Sequence, residues 1–414
     1  MKEKVLLVIV DYKNTQPDWS VEDTAKEMGE LVAACRGEVT GQIICRIDKP
    51  AATYLIGEGK VKEIAARCAL EGVDTVVFDQ DLKGSQQRNI EEVVKVKVID
   101  RTQLILDIFA RRATSQEGKM QVELAQLEYM LPRLVGKGAE MSRLGGGIGT
   151  LGPGETKLEV DRRRIGERID RLKKGLKEVA ADRTLKRKKR QEQGIPLLSL
   201  VGYTNAGKST LLNRLTQAEQ RAENALFTTL DSLSRQYILP NHQKVILSDT
   251  VGFIHDLPHH LVESFKATLE EVKEADLLLH VLDVSHPQFK NLYESVIDVL
   301  DQLGVQDKPT VVVFNKIDLL KDKNWLKDLK ENFDHAVAIS ALTGEGMEDF
   351  AREISKLLSP MMAEIDVVIP IHRMDLVNLA HEEGQVIAIK YYNDTINLRA
   401  NVPAHLAGKF ERIK

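Results

Sequence analysis

LLSLVGYTNAGKST, residues Leu197 to Thr210, is the stretch on which the fold turns. A run suited to a buried strand leads into a glycine-bounded turn ending in Lys208 and Ser209, and the helical pattern LLNRLTQ follows. Strand, G-x-x-x-x-G-K-S, helix is the order of a phosphate loop. The glycines let the backbone wrap phosphates, the amides and helix N-terminus present positive ends, and Lys208 reaches the β- and γ-phosphates. Ser209 is placed to ligate Mg2+. The candidate contacts are Gly202, Tyr203, Thr204, Asn205, Ala206, Gly207, Lys208, Ser209 and Thr210.

Outward from this loop, the region from Pro196 to about Pro360 alternates the apolar runs KVILSD, LLLHVLDV, TVVVFN and AVAIS with helical or polar stretches, the pattern of a doubly wound α/β domain. KVILSD delivers Asp249, a carboxylate that can hold Mg2+ through water, followed by Thr250, Val251 and Gly252, whose N–H faces a γ-phosphate. In LFTTLDS, after Phe227, Thr229 is the expected second hydroxyl ligand, closing over Mg2+ only with a triphosphate present; Thr228 is the alternative. FNKID supplies Asn315, Lys316 and Asp318. A carboxylate only accepts, guanine offers two adjacent donors at N1 and its amino group, and adenine places an acceptor at N1. Guanine is therefore preferred. SALTGEG brings the backbone of Ser340, Ala341 and Leu342 toward the base. Phe253 stands where a glutamine after D-x-x-G would orient the attacking water, so no catalytic side chain is assigned there, Lys208 and Gly252 are the γ-phosphate stabilisers, and slow intrinsic hydrolysis is expected.

At 414 residues the chain is too long for one ordinary core. It has no run of eighteen apolar residues and no signal-peptide pattern, so the expected address is the cytoplasm, with a fraction peripheral to a membrane. Cys35, Cys45 and Cys68 suit neither a zinc site nor a redox pair and are read as structural thiols. Net charge is only −4, but Lys157 to Gln193 holds fifteen Lys or Arg against seven Asp or Glu, a local +8 that leaves −12 for the remainder. Such asymmetry fits a protein that meets a phosphate backbone with one element.

The first hundred or so residues alternate strand runs (VLLVIVD, GQIICRI, DTVVFD, VKVID) with helices from about Val21 to Cys35 and Val61 to Ala69, which gives a small parallel α/β layer. LIGEGK within it lacks the third glycine and the hydroxyl residue of a nucleotide loop, and is read as a turn. Met120, Leu124, Leu127, Leu131 and Leu134, then Ile165, Ile169, Leu172, Leu176 and Val179, form two apolar stripes suited to an antiparallel helical hairpin. Between the arms lies RLGGGIGTLGPGETKLEVDRRR, residues 143 to 164, six of whose ten residues from Gly145 to Gly154 are glycine. GTLGPGET copies the spacing of a phosphate loop, but Glu155 stands where lysine must be and would repel phosphates. The tip is read instead as an RNA contact: Arg143, Gly145, Gly146, Gly147, Gly149 and Lys157 enter a crevice, while Arg162, Arg163, Arg164, Lys186, Arg187, Lys188, Lys189 and Arg190 hold phosphates. The last fifty-odd residues read as a small α+β appendage. The expected fold is thus α/β multidomain, divided 1–114, 115–193, 194–360 and 361–414 into a parallel α/β domain, a helical hairpin, a P-loop GTPase domain and a C-terminal α+β domain.

The motifs GYTNAGKST, TTLDS, DTVGF, NKID and SAL, joined to DRTQLILDIFARRATSQEGKMQVELAQLEY and SRLGGGIGTLGPGETKLEVDRR, resemble the HflX family of translational GTPases over roughly Met1 to Pro360. The resemblance implies a Mg2+-dependent GTP hydrolase, monomeric when free, that binds GTP or GDP and the large ribosomal subunit near its peptidyl-transferase region, and splits or rescues stalled ribosomes, notably under stress. The residues alone also admit a GTP-dependent switch for a protein partner, or an ATP-using RNA remodeller, which Asp318 disfavours.

Overall fold

Val5 to Val10 are six consecutive buried residues in the strand Lys4–Tyr12 (β1). A strand apolar on both faces belongs inside a parallel sheet covered by helices. In the computed structural model, which describes residues 2–13, 19–136, 157–216, 233–255 and 266–411, it does. These residues fall into two compact units, one mainly Met1–Val179, the other mainly Ala180–Asn224, Asp231–Leu257 and Lys266–Lys414.

In the first unit, β1 is followed by Val21–Ala34 (α1), Glu38–Ile47 (β2), Glu58–Glu71 (α2), Thr75–Phe78 (β3), Gly84–Val94 (α3), Lys97–Asp100 (β4) and Arg101–Arg112 (α4). The strands form a parallel sheet in the order β2-β1-β3-β4. Gly57 of LIGEGK is the N-cap of α2, a structural turn as expected. Two helices were not expected. α3 is short, and α4 buries Leu104, Ile105, Leu106, Ile108 and Phe109, too broad a face to show a clean stripe. Asp100 starts α4 by accepting from the Gln103 N–H at 2.9 Å, and also takes the Leu82 N–H, the Tyr129 hydroxyl and Arg133 Nη2. One buried carboxylate thus fastens β4, α4 and the next helix, and burial raises its pKa despite those donors. The three cysteines are free thiols, and burial pushes Cys45 up to about 11, which keeps it unreactive.

The two apolar stripes meet. Leu124 on Gln116–Met130 (α5) clusters with Ile169 and Leu172 on Lys157–Glu192 (α6), and Met120, Leu127, Leu131, Ile165 and Leu176 pack around them. A Cβ on Gly175 would lie 3.3 Å from the sulfur of Met120, so the two helices approach closely there. Arg168 grips Glu123 at 2.6 and 2.7 Å, and Lys173 meets Glu128 at 2.8 Å. Exposed pairs of this kind contribute about 0–1 kcal/mol, so the apolar seam carries the pairing. The second arm outruns its stripe: α6 is one helix of 36 residues that continues through the basic cluster. The glycine-rich tip lies outside the described residues.

In the second unit, Leu197–Val201 (β5), Lys208–Thr216 (α7), Leu233–Ile238 (β6), Lys244–Asp249 (β7), Lys266–Glu274 (α8), Leu277–Asp283 (β8), Phe289–Leu303 (α9), Thr310–Asn315 (β9), Trp325–Glu331 (α10), Ala336–Ala338 (β10) and Met347–Leu357 (α11) build a six-stranded sheet, order β10-β9-β8-β5-β7-β6. Only β6 is antiparallel. It was missed in the sequence because as an edge strand it alternates half-buried and exposed residues and never forms an apolar run. α9 shows the complementary, legible case, burying Leu292, Val296, Val299, Leu300 and Leu303 on one face. Met362–Pro370 (β11), Met374–Glu383 (α12), Gln385–Tyr391 (β12), Thr395–Pro403 (β13) and Ala404–Glu411 (α13) complete the chain, with an antiparallel sheet in the order β11-β13-β12 and a core of its own. α13 is a further helix not expected from the sequence.

Candidate functional site

The carboxyl end of β5, next to the point where the strand order reverses, is where an open α/β sheet binds ligands. There the chain turns through Gly202 to Gly207 into α7. Gly207 has φ +98°, and a Cβ on it would stand 2.2 Å from Asn315 Nδ2, so only glycine lets the loop close against β9. Lys208 is buried, and its ammonium donates to the carbonyls of Gly202 at 2.8 Å and Tyr203 at 2.7 Å. Those bonds fold the lysine back along its own loop. Burial lowers its pKa to about 8, with Asp249 acting in the opposite direction. An ammonium this poorly solvated gains most from an arriving polyanion.

The Ser209 hydroxyl donates to Asp249 Oδ2 at 2.7 Å, with both residues buried. Two hard oxygen donors side by side at the start of a helix fit Mg2+. The segment from Asp249 lies directly on the phosphate loop: the Thr204 N–H donates to the Phe253 carbonyl at 2.7 Å, the Phe253 N–H to the Gly202 carbonyl at 3.1 Å, and the His255 N–H to the Tyr203 hydroxyl at 2.7 Å. A Cβ on Gly252 would come within 2.8 Å of Thr204 and 3.2 Å of the Lys208 ammonium, which explains glycine at the point of closest approach. Thr250 is pinned through its hydroxyl to the Leu200 carbonyl, and Val251 is buried beside it. The Phe253 side chain is buried and apolar, so it packs and offers no hydrogen bond to a water. Phe227, Thr228 and Thr229 lie outside the described residues.

At the base-reading end the structure gives Asn315 a task the sequence reading did not assign. Its amide donates to the Ala206 carbonyl at 2.8 Å and its oxygen accepts from the Ala341 N–H at 2.9 Å, stapling three loops into one frame. The Ser340 N–H is likewise taken, by the Glu345 carbonyl. Lys316 sits at φ +66° and pairs with Asp283 at 2.7 Å, and Asp318 lies half-buried in the one-turn helix Ile317–Leu319. Two residues were missed. Asp283, at the end of β8, holds Lys316, and Arg214 on α7 donates to the carbonyls of Ala341 and Leu342, fixing the loop that carries the exposed Leu342. The carboxylate ending LLLHVLD was a readable signal for the first; nothing in the sequence marks Arg214.

Four family models match consecutive stretches of the chain: GTP-binding GTPase N-terminal over 22–110, GTP-binding GTPase Middle Region over 112–190, 50S ribosome-binding GTPase over 198–316 and HflX C-terminal domain over 326–412. The chain is 44% identical over 405 residues to GTPase HflX of Caldanaerobacter subterraneus, covering 98% of this chain and 92% of that one. The chain belongs to the HflX family of GTPases. Identity to GTPase HflX of Escherichia coli is 43% over 364 residues, covering 88% and 85% of the two chains. Among solved structures, a GTP-binding protein from Sulfolobus solfataricus in complex with GDP is similar at 27% identity, with TM-score 0.46, over 87% of this chain and 99% of that one. As an HflX-family member the chain binds guanine nucleotide and hydrolyses GTP.

The basic residues expected of this HflX-family chain are placed unevenly. Arg162, Arg163 and Arg164 are exposed on α6, with Arg163 3.9 Å from Glu167. Lys188 is exposed and Arg190 half-buried. Arg187 is exposed and is also ion-paired with Glu274 on α8. Lys157, Lys186 and Lys189 lie on α6, but their side chains are outside the description, as are Arg143, Gly145, Gly146, Gly147 and Gly149 altogether. No helix among the described residues is long and apolar enough to cross a membrane.

Proposed function

We propose that this GTPase binds the large ribosomal subunit through its helical hairpin and uses GTP binding and hydrolysis to split or rescue stalled ribosomes under stress. The observation that carries the reading is the row of exposed arginines Arg162 to Arg164 on α6, a helix that starts directly after the glycine-rich stretch and belongs to the same chain as a guanine-nucleotide site. The working division is 1–114, 115–193, 194–360 and 361–414, with nucleotide held in the third part and RNA by the second. The protein acts in the cytoplasm, as a monomer when free.

Within the nucleotide site, amides of the loop from Gly202 to Thr210 and the Lys208 ammonium hold the phosphates, Gly252 contacts the γ-phosphate, Asp318 reads the guanine edge and the Ser340 to Leu342 loop closes over the base. Ser209 would hold Mg2+ directly and Asp249 through water, with Thr229 joining in the triphosphate state; when bound, the ion neutralises charge on the phosphates. A buried Phe253 leaves the attacking water without an orienting side chain from this position. The large subunit completes or orders the site. Single-turnover GTP hydrolysis measured with and without purified large subunits tests this: a rise of about 100-fold is expected, the lower end of what a positioned catalytic group contributes. Equal rates would remove the subunit from the mechanism.

A further inference from the structure

Arg183, Arg187 and Arg190 recur at i, i+4 and i+7 and so share one face of α6. That face lines a groove of about 340 Å3 whose opposite wall is Glu270, Glu271 and Glu274 of α8, with Leu197, Ser234 and Ile246 at its floor. Two ion pairs cross the groove one turn apart, Arg183 to Glu270 at 3.7 Å and Arg187 to Glu274. Glu271, between them, accepts from the Ser248 hydroxyl of β7. Each pair joins a more exposed partner, Glu270 at 46% and Arg187 at 44%, to a less exposed one, Arg183 at 26% and Glu274 at 25%, and the bridging atoms Arg183 Nη2 and Glu274 Oε2 are shut off from water, so an anion that replaces the carboxylates must open the clasp.

Resting on the reading that α6 is an RNA-binding element, we propose that Arg183 and Arg187 form an RNA-phosphate site masked in this state by Glu270 and Glu274. The carboxylates occupy the positions that phosphate oxygens would take, since guanidinium groups bind either anion through the same fork of donors. RNA on this face must displace α8.

The test compares the full chain with its Glu270→Gln/Glu274→Gln form, titrated with a short RNA duplex across a range of salt concentrations. Unmasking two arginines should tighten binding by about tenfold at low salt and steepen the slope of log K against log salt by about 1 to 2, the contribution of two additional phosphate contacts. The exchanged pair Arg187→Glu/Glu274→Arg keeps the clasp closed at that turn and removes one arginine from α6, so its slope should not steepen. GDP affinity, unchanged in every form, certifies the fold. Identical slopes for the wild type and the double glutamine form would overturn the mask. The duplex measurement does not involve ribosomes, so failure to bind large subunits would count against the proposed function alone.

Discussion

Lys208→Ala should abolish measurable GTP turnover and weaken GTP and GDP by at least about 100-fold. The ammonium is buried and held by only two carbonyls of its own loop, poised for phosphate oxygens. Two charge-assisted hydrogen bonds at about 1.5–3 kcal/mol each, with every 1.4 kcal/mol worth tenfold, set that lower bound. Titration with a fluorescent GDP analogue and single-turnover hydrolysis measure the two losses separately. Because the variant loses a desolvated charge while the Gly202 and Tyr203 carbonyls keep the Phe253 and Ala206 N–H groups as donors, the melting temperature should move little. Retention of nucleotide affinity within a few fold would mean that the loop amides alone hold the phosphates.

Asp318→Asn should shift preference from guanine to xanthine nucleotides, with GTP affinity falling by about 100-fold or more. Guanine presents donors at N1 and at its amino group, and an amide can accept from only one of them while turning its own donor on the other. Xanthine carries an oxygen at the second position and so accepts what the asparagine offers. Competition between GTP, XTP and ATP reads the result. A variant that still prefers GTP over XTP would place base recognition elsewhere, with the loop fixed by Arg214 the first place to look.

The nucleotide site was legible because its chemistry is written in contiguous words. Asp249 ends an apolar strand run, Lys208, Ser209 and Asp318 lie just beyond two others, and the sheet brings the carboxyl ends of those strands to one edge. The supporting residues were not legible. Asn315 appears in a base-reading motif, yet its contacts are to Ala206 and Ala341, and pairing between loops 109 and 26 residues apart leaves no local trace. The same holds for Arg187, which counts as positive charge in the sequence and meets its counterion 87 residues away. The hairpin seam is legible because helical spacing repeats locally, although the stripes also include Leu134 and Val179, which lie outside the packed cluster, whereas α4 hides because it is buried on too many sides to leave a stripe. β6 hid for the opposite reason, being an edge strand with too little buried surface to mark it.

In the proposed function one chain holds guanine nucleotide at the end of β5 and ribosomal RNA along α6. Sedimentation of intact ribosomes with the protein and GDP, GTP or a non-hydrolysable GTP analogue tests both at once. With GTP or the analogue, the protein should travel with the large subunit and the intact-ribosome peak should shrink, while with GDP both effects weaken. A protein that stays at the top of the gradient in all three nucleotide states, beside an unchanged ribosome peak, would contradict it.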